Sequence, residues 1–351
     1  MGPFSISPET QTLHESLIIG DWHADPLLWK RDLTERSDRG HVDIPRLTEG
    51  NVALQVFTAV TKSPAGHNYE ENDTDAWDNI TTLSVVQLWP VRTWNSMFER
   101  AVYQAEKLAE FAAASDGQLR ILRSEEDLEK LLSDKSAGQS IVGGILGIEG
   151  AHALEGDIAN LQRLQDAGYR LIGLHHFFDN DIGGSLHGIA DNGLTDFGRQ
   201  VVEEVVARGL ILDLAHSSQQ VVRDVLEITE IPLVISHTGI FSHCETPRNL
   251  PDDLMVEIAA SGGVIGIGYW EDVTCDDSPD GVAATIKAAI DLVGEDSVSL
   301  GSDYDGTVVV SFDTSDISAL TQAMLDIGLS EPQIRKVMGE NMVRVLRDRL
   351  N

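Results

Sequence analysis

Eight short runs rich in β-branched and aliphatic residues recur along the chain, at 17–23, 52–60, 141–149, 170–176, 210–216, 233–237, 264–269 and 298–303, with helical patterns between them. Strands that alternate with helices pair in parallel, because each return to the same end of a sheet needs a crossover long enough to hold a helix. Eight such units predict a (β/α)8 TIM barrel. The chain has 351 residues, and the fold needs about 250, which leaves roughly 100 for insertions and terminal extras. Most of the surplus falls at 61–140, between the second and third of these strands. There, 94–114 has the spacing of an amphipathic helix, and 124–132 opens with Ser-x-x-Asp, a capping-box pattern. The preceding SPAGHNYEENDTDAW reads as a polar loop over the barrel mouth, either a lid or a decoration. Residues 331–350 carry two helical patterns separated near Gly339, read as packing helices. No linker or further repeat divides the chain, so a single domain over 1–351 is expected.

Composition narrows the partners. An apolar content of 42% suits a soluble globular enzyme, whereas a formal net charge of -32 repels nucleic-acid backbones and anionic membranes. No nucleic-acid partner and no membrane attachment are expected. The opening MGPFSISPETQTLHE lacks a basic segment followed by an apolar run, and the closing LRDRLN is charged rather than an anchor signal. A soluble, cytoplasmic protein is therefore expected. Cys244 and Cys275 are too few for a framework and lack Cys-x-x-Cys spacing, so neither a structural zinc nor a redox pair is indicated. Any metal ligands would be His, Asp and Glu.

Such residues stand at the strand ends. The first run ends in His23 and Asp25, which share a face because side chains alternate along a strand. The third ends in Glu149, the fourth in His175 and His176, the fifth in His216, the sixth in His237 and the eighth in Asp303. In a barrel these ends converge on the face where active sites are built. Packing alone does not call for ionisable groups at so many equivalent positions. Imidazole with carboxylate suits zinc, with manganese, iron or cobalt as other divalent candidates. Three histidines, an aspartate and a glutamate exceed what one catalytic zinc needs and match two ions sharing a carboxylate. Glu149 is the natural bridge.

The ordered motifs GDWHAD, GIEGAH, LHHFFDN, DLAHSS, ISHTG, RNLPDD, GSDYDG and GENMVRVL extend from about residue 18 to the C-terminal helix. In that order and spacing the chain resembles the renal (membrane) dipeptidases and their bacterial relatives in the amidohydrolase superfamily. The resemblance implies a zinc-dependent dipeptidase with two Zn2+ per chain and a hydroxide bridging them. One ion would take His23, Asp25 and Glu149, and the other Glu149, His216 and His237. By the same resemblance His176 stabilises the oxygen of the attacked carbonyl, Arg248 holds the substrate's terminal carboxylate, and Asp303 moves the proton. A homodimer is implied as well.

His175 stands beside His176, and the resemblance favours His176 as catalytic. His152 reads as a residue orienting a ligand. Asp305 either lines the substrate's amino group or stabilises the turn before Gly306. Tyr269 and Trp270 either wall the pocket or pack the core. His14, His41, His67, His187 and His243 read as surface or loop residues. The alternative function is a related metal hydrolase acting on another small amide, a lactone or a phosphoester. Many such relatives begin with His-x-His where this chain has His23 and Asp25, and Arg248 suits a carboxylate. A barrel kept only for binding should have lost a ligand, and none is missing. The secretion signal, paired cysteines and lipid-anchor signal of the mammalian enzymes are not found, and the dipeptide preference stays open.

Overall fold

The computed structural model describes residues 4–350; the first three residues of the amino-terminal segment and Asn351 lie outside it. Among the described residues nine parallel strands form, β1 (Ile19–Ala24), β2 (Val52–Val60), β3 (Leu119–Ile121), β4 (Val142–Glu149), β5 (Tyr169–Gly173), β6 (Ile211–Asp213), β7 (Val234–Thr238), β8 (Val264–Ile267) and β9 (Val298–Leu300). They run in the order β1-β2-β4-β5-β6-β7-β8-β9, and β3 pairs with the outer length of β4 away from this path. The ring closes beyond the named strands: the Asp303 amide donates to the His23 carbonyl at 3.1 Å, and the Asp25 amide donates to Tyr304 at 2.9 Å. This is the expected eight-stranded (β/α)8 barrel. Its strands are buried along their length, which is why they read as near-continuous apolar runs.

Alternation sorts β1. Trp22 points outward into an apolar cluster with Met342, Val343 and Leu346 of the last helix, Asn341–Arg349. Its neighbours Asp21 and His23 therefore face the barrel interior. The two C-terminal helical patterns are divided where expected, because Gly339 packs so closely on β1 that a Cβ there would lie 2.3 Å from the Ile18 carbonyl oxygen.

The 61–140 insertion carries both expected helices and one more. Asn79–Val86, Met97–Ala114 and Glu125–Ser136 are helices, the last with the predicted capping box of Ser124 and Asp127. Buried Arg100 pins the insertion to the barrel: it donates to the Thr61 carbonyl at 2.7 Å and to Asp78 at 2.6 Å. Among the described residues no helix is long and apolar enough to cross a membrane.

Two expectations need correcting. Cys244 and Cys275 form a disulfide, with Cα atoms 5.6 Å apart. They sit 31 residues apart in sequence, and the loops after β7 and β8 bring them together at one end of the barrel, which spacing does not show. His14 is no surface residue either. It is buried between the Thr321 hydroxyl, 2.9 Å from Nδ1, and the Gly50 carbonyl, 3.2 Å from Nε2.

Alkylation before reduction is expected to label no cysteine and after reduction to label both; labelling of the unreduced folded chain would contradict the pairing. Burial lowers the His14 pKa to about 4. The unfolded chain then takes up this proton more readily, so the contribution is complete above pH 6.5 and is lost as pH falls toward 4. A depression of that size corresponds to at most about 3 kcal/mol. His14→Gln is expected to flatten the loss of unfolding free energy across this window, as read by denaturant melts at stepped pH.

Candidate active site

The carboxyl ends of the strands converge on buried His23, Asp25, Glu149, His176, His216, His237 and Asp303. Two of these positions are reached only through a left-handed backbone: His216 has φ 61° and Asp303 φ 57°. Non-glycine residues rarely hold that conformation, and here it turns each side chain into the barrel mouth just after its strand ends. Gly306 clears the space beside Asp303, since a Cβ there would lie 2.0 Å from Asp303 Oδ1 and 2.9 Å from Asp25 Oδ2.

Glu149 Oε1 is the common point. It lies 3.1 Å from His216 Nε2, 3.3 Å from His237 Nε2 and 3.5 Å from His23 Nε2. His23 Nε2 is also 3.5 Å from Asp25 Oδ2 and 3.9 Å from Asp303 Oδ1. The two imidazole nitrogens of His216 and His237 are 2.9 Å apart. Ligand atoms around a tetrahedral ion with bonds of about 2.0–2.2 Å stand roughly 3.3–3.6 Å from one another, so these separations fit a metal. Three groupings are compact enough to hold one: His23–Asp25–Glu149, Glu149–His176–His216 and His23–His237–Asp303. A single oxygen of Glu149 faces both histidine sets, while Oε2 turns to His176 Nε2 at 3.3 Å.

The electrostatics point the same way. Burial pushes the Glu149 carboxyl up to about 8 and Asp303 well above its ordinary value, with His23 opposing both shifts. Burial also opposes charge on His23, yet Glu149 and Asp25 outweigh it and raise the imidazole to about 10. His216 and His237 are pushed well down, by burial first and then by neighbouring cations. Buried carboxylates beside His216 and His237, which resist protonation, form a cluster whose ionised state a bound cation would stabilise.

The ligand tautomers are set from behind by a residue that the sequence reading missed. Ser236 Oγ lies 3.3 Å from His23 Nδ1 and 2.8 Å from His237 Nδ1. One hydroxyl oxygen can accept from both Nδ1 atoms, which turns both Nε2 atoms toward Glu149. Asp213 in turn accepts the Ser236 amide at 2.9 Å, and Asp21 accepts the His23 amide at 2.9 Å. Thr58 holds Asp25 Oδ1 at 2.5 Å. Ser236, Asp213 and Asp21 lie within motifs already singled out, but only strand register shows which atoms they reach.

The ligands open into a cavity of about 810 Å3, lined also by Arg248, Trp270, Tyr69 and Phe177. Arg248 is fully enclosed; it donates to the His237 carbonyl at 2.8 Å, its Nε has no partner, and it forms no ion pair among the described residues. Trp270 lies under it at 5.5 Å and donates to the Tyr69 hydroxyl at 3.0 Å.

Several expected site residues fall elsewhere. Tyr269 is core, packed on Tyr304 and Phe312, because alternation at the end of β8 sends it away from Trp270. Asp305 ties down the 29–42 loop: it accepts from the His41 amide at 2.8 Å, the Val42 amide at 3.3 Å and the Arg31 guanidinium. His175 turns away to Ser217, 3.0 Å off, whereas His176 faces Glu149. Among the described residues neither ring nitrogen of buried His152 hydrogen-bonds a ligand side chain, so it orients none by that means. His187, read as a loop residue, is buried against the His216 ring at 5.2 Å. His67 and Tyr69, from the presumed polar loop, line the cavity.

Comparison with known proteins agrees with this geometry. The family profile described as Membrane dipeptidase (Peptidase family M19) matches residues 8–350. Dipeptidase verJ of Clonostachys rogersoniana is 27% identical over 317 residues, covering 87% of this chain and 75% of that protein. An uncharacterized dipeptidase of Schizosaccharomyces pombe is 26% identical over 324 residues, covering 87% of this chain and 71% of that one. A metallopeptidase from Rhodobacter sphaeroides, solved with a phosphinate mimic of the dipeptide L-Ala-D-Ala, superposes with a TM-score of 0.77 at 25% identity. That match covers 95% of this chain and 99% of the other.

Removing an outer partner of a metal ligand typically lowers metal affinity by about 10–100-fold. Ser236→Ala is expected to do so for divalent metal, as read by calorimetric titration of the metal-free protein; unchanged affinity would show that the hydroxyl does not hold the histidines. Gly306→Ala is expected to displace the Asp25 and Asp303 carboxylates, lowering bound metal per chain in elemental analysis while the circular dichroism is kept.

Proposed function

The chain belongs to the membrane dipeptidase family of metallopeptidases, and from that premise we propose that it hydrolyses dipeptides with a free C-terminal carboxylate at a site for two zinc ions. In this reading His23, Asp25 and Glu149 hold one ion, and Glu149, His216 and His237 the other. Two divalent ions bound there would lower the pKa of a shared water and polarise the scissile carbonyl.

The remaining roles fall to this chain's own groups. The observation that carries the reading is Arg248, a buried guanidinium with no carboxylate partner among the described residues, beside the ligand cluster and facing a cavity. A buried cation in that state is costly unless an anion completes it, and a planar guanidinium matches a carboxylate in two hydrogen bonds. His176 holds its Nδ1 against the Lys62 carbonyl at 3.0 Å, so Nδ1 is the donor there and Nε2 is the atom left to face the substrate oxygen. With Nδ1 so protonated, Nε2 supports a developing oxyanion only as the imidazolium, which burial disfavours by lowering the pKa to about 4 and a developing negative charge would favour. Asp303 takes a proton from the attacking water as its oxygen bonds to the carbonyl carbon. It returns that proton to the amine nitrogen as the C–N bond breaks. The phosphinate-bound Rhodobacter relative supports a tetrahedral, dipeptide-shaped occupant here. The homodimer stays within the proposal.

Zinc-loaded protein is expected to cleave a dipeptide but not the same dipeptide with its C-terminus amidated. Arg248→Met should raise KM for the free acid by about 100-fold, the scale of a charge-assisted pair of hydrogen bonds. Equal turnover of acid and amide would overturn the carboxylate role. Asp303→Asn is expected to abolish turnover with the metal content unchanged; retained turnover would remove Asp303 from the proton path.

A further inference from the structure

The cavity has two chemically different ends. At the Arg248 end stand Trp270 and Tyr69, with the exposed carboxylates Glu271 and Asp272 at the rim. Towards Asp25 the lining is mainly apolar, with Leu28, Trp29, Val60, Ile80, Leu83 and Val308 among the uncharged polar side chains of Ser63, Asn79, Thr82 and Thr307. Leu28, Val60 and Ile80 belong to one apolar cluster with Trp89, against which Trp29, Leu83 and Tyr103 pack. Lys107, which lies behind this wall, spends its ammonium on the Leu27 and Trp29 carbonyls at 2.5 and 2.7 Å. No charged side chain is among these wall residues, so a charged group buried there would go unpaired.

Polar contacts order the site between these ends. Arg248 lies 3.4 Å from His216 Nε2, His216 lies 3.1 Å from Glu149 Oε1, Glu149 lies 3.5 Å from His23 Nε2, and His23 lies 3.5 Å from Asp25. Two extended residues span about 7 Å. A dipeptide whose carboxylate sits on Arg248 and whose scissile carbonyl lies over Glu149 therefore carries its N-terminal residue to the Asp25 end. That is where the apolar wall begins, three residues further along the chain at Leu28.

We propose that this wall is a subsite for the N-terminal side chain and that it selects a large, uncharged apolar one. The inference rests on the dipeptidase reading. The wall comes from the 61–140 insertion and the 307–309 loop together with β1 and β2 flanks, so selectivity resides outside the ligand-bearing strand ends. The volume of about 810 Å3 leaves room for an aromatic ring beside the peptide.

The test is a panel of X-Ala dipeptides on the zinc-loaded full chain, with X as Gly, Leu, Phe, Asp and Lys. Leu-Ala and Phe-Ala are expected to show kcat/KM about 10-fold or more above Gly-Ala, the scale that added apolar atoms give in a fitted pocket. Asp-Ala and Lys-Ala should fall below Gly-Ala. Leu83→Glu, on a half-buried helix position, should raise Lys-Ala relative to Leu-Ala by about 10-fold, as one introduced charge partner changes such ratios. Val308→Asp, on the loop after β9 that also lines the cavity, gives the same readout should the first variant fold poorly. Cleavage with a flat or inverted preference, or a preference that neither variant moves, overturns this inference and leaves the dipeptidase reading standing. Cleavage of no dipeptide at all overturns both.

Discussion

The hydrogen bond from the Asp303 amide to the His23 carbonyl is where the two ends of the sheet meet, and the site depends on that closure. Asp303 and His23 are 280 residues apart in sequence, yet only with the ring closed do Asp25, Asp303 and Gly306 share one corner. The same seam fixes the depth of the cluster. Asp21, one alternation below His23, accepts the amides of both His23 and Ser302, so the two seam strands are held at one height. A shift of one residue in this pairing would send His23 outward to where Trp22 packs.

Closure gathers more buried charge than an empty pocket favours. Glu149, Asp25 and Asp303 face few cations within reach, and Arg248 stands at the edge of the cluster without an ion pair of its own among the described residues. In a low-dielectric interior such groups hold their charge only when a counter-charge is supplied. The molecule thus presents two unmet demands at adjacent places, a cation among the carboxylates and imidazoles and an anion at the guanidinium. A zwitterion bound across metal ions would meet both, since its carboxylate answers Arg248 while the metals answer the cluster.

The barrel was legible because its strands are buried on both faces and read as apolar runs, and their ends were legible because polar residues interrupt those runs. The predicted ends overshoot at β5, β6, β8 and β9 because the regular ladders end early, although Leu174, Leu214, Gly268 and Gly301 still donate their amides to the neighbouring strand. What failed depends on three-dimensional direction. Asp305 follows Asp303 by two residues, but left-handed conformations at both turn it toward the 41–42 amides. Tyr269 and Trp270 are adjacent and so face opposite ways, one into the core and one into the cavity. His187 reaches the His216 ring because the segment after β5 folds back, with the Leu186 amide on the His216 carbonyl at 2.7 Å. Neither composition nor periodicity encodes such a return.

The acidic surface fits this division of labour. A net charge of -32 sets up a field that draws divalent cations toward the protein and repels anions, within the reach that salt allows. Glu271 and Asp272 carry that sign to the cavity rim. A zwitterionic dipeptide has no net charge to be repelled, whereas a dipeptide with an acidic side chain does. Arg248 then acts at short range, where a fully enclosed guanidinium is screened least. Long-range repulsion of anions and short-range capture of one carboxylate are compatible only for a substrate that carries its own compensating ammonium, and a free dipeptide is the smallest peptide that does.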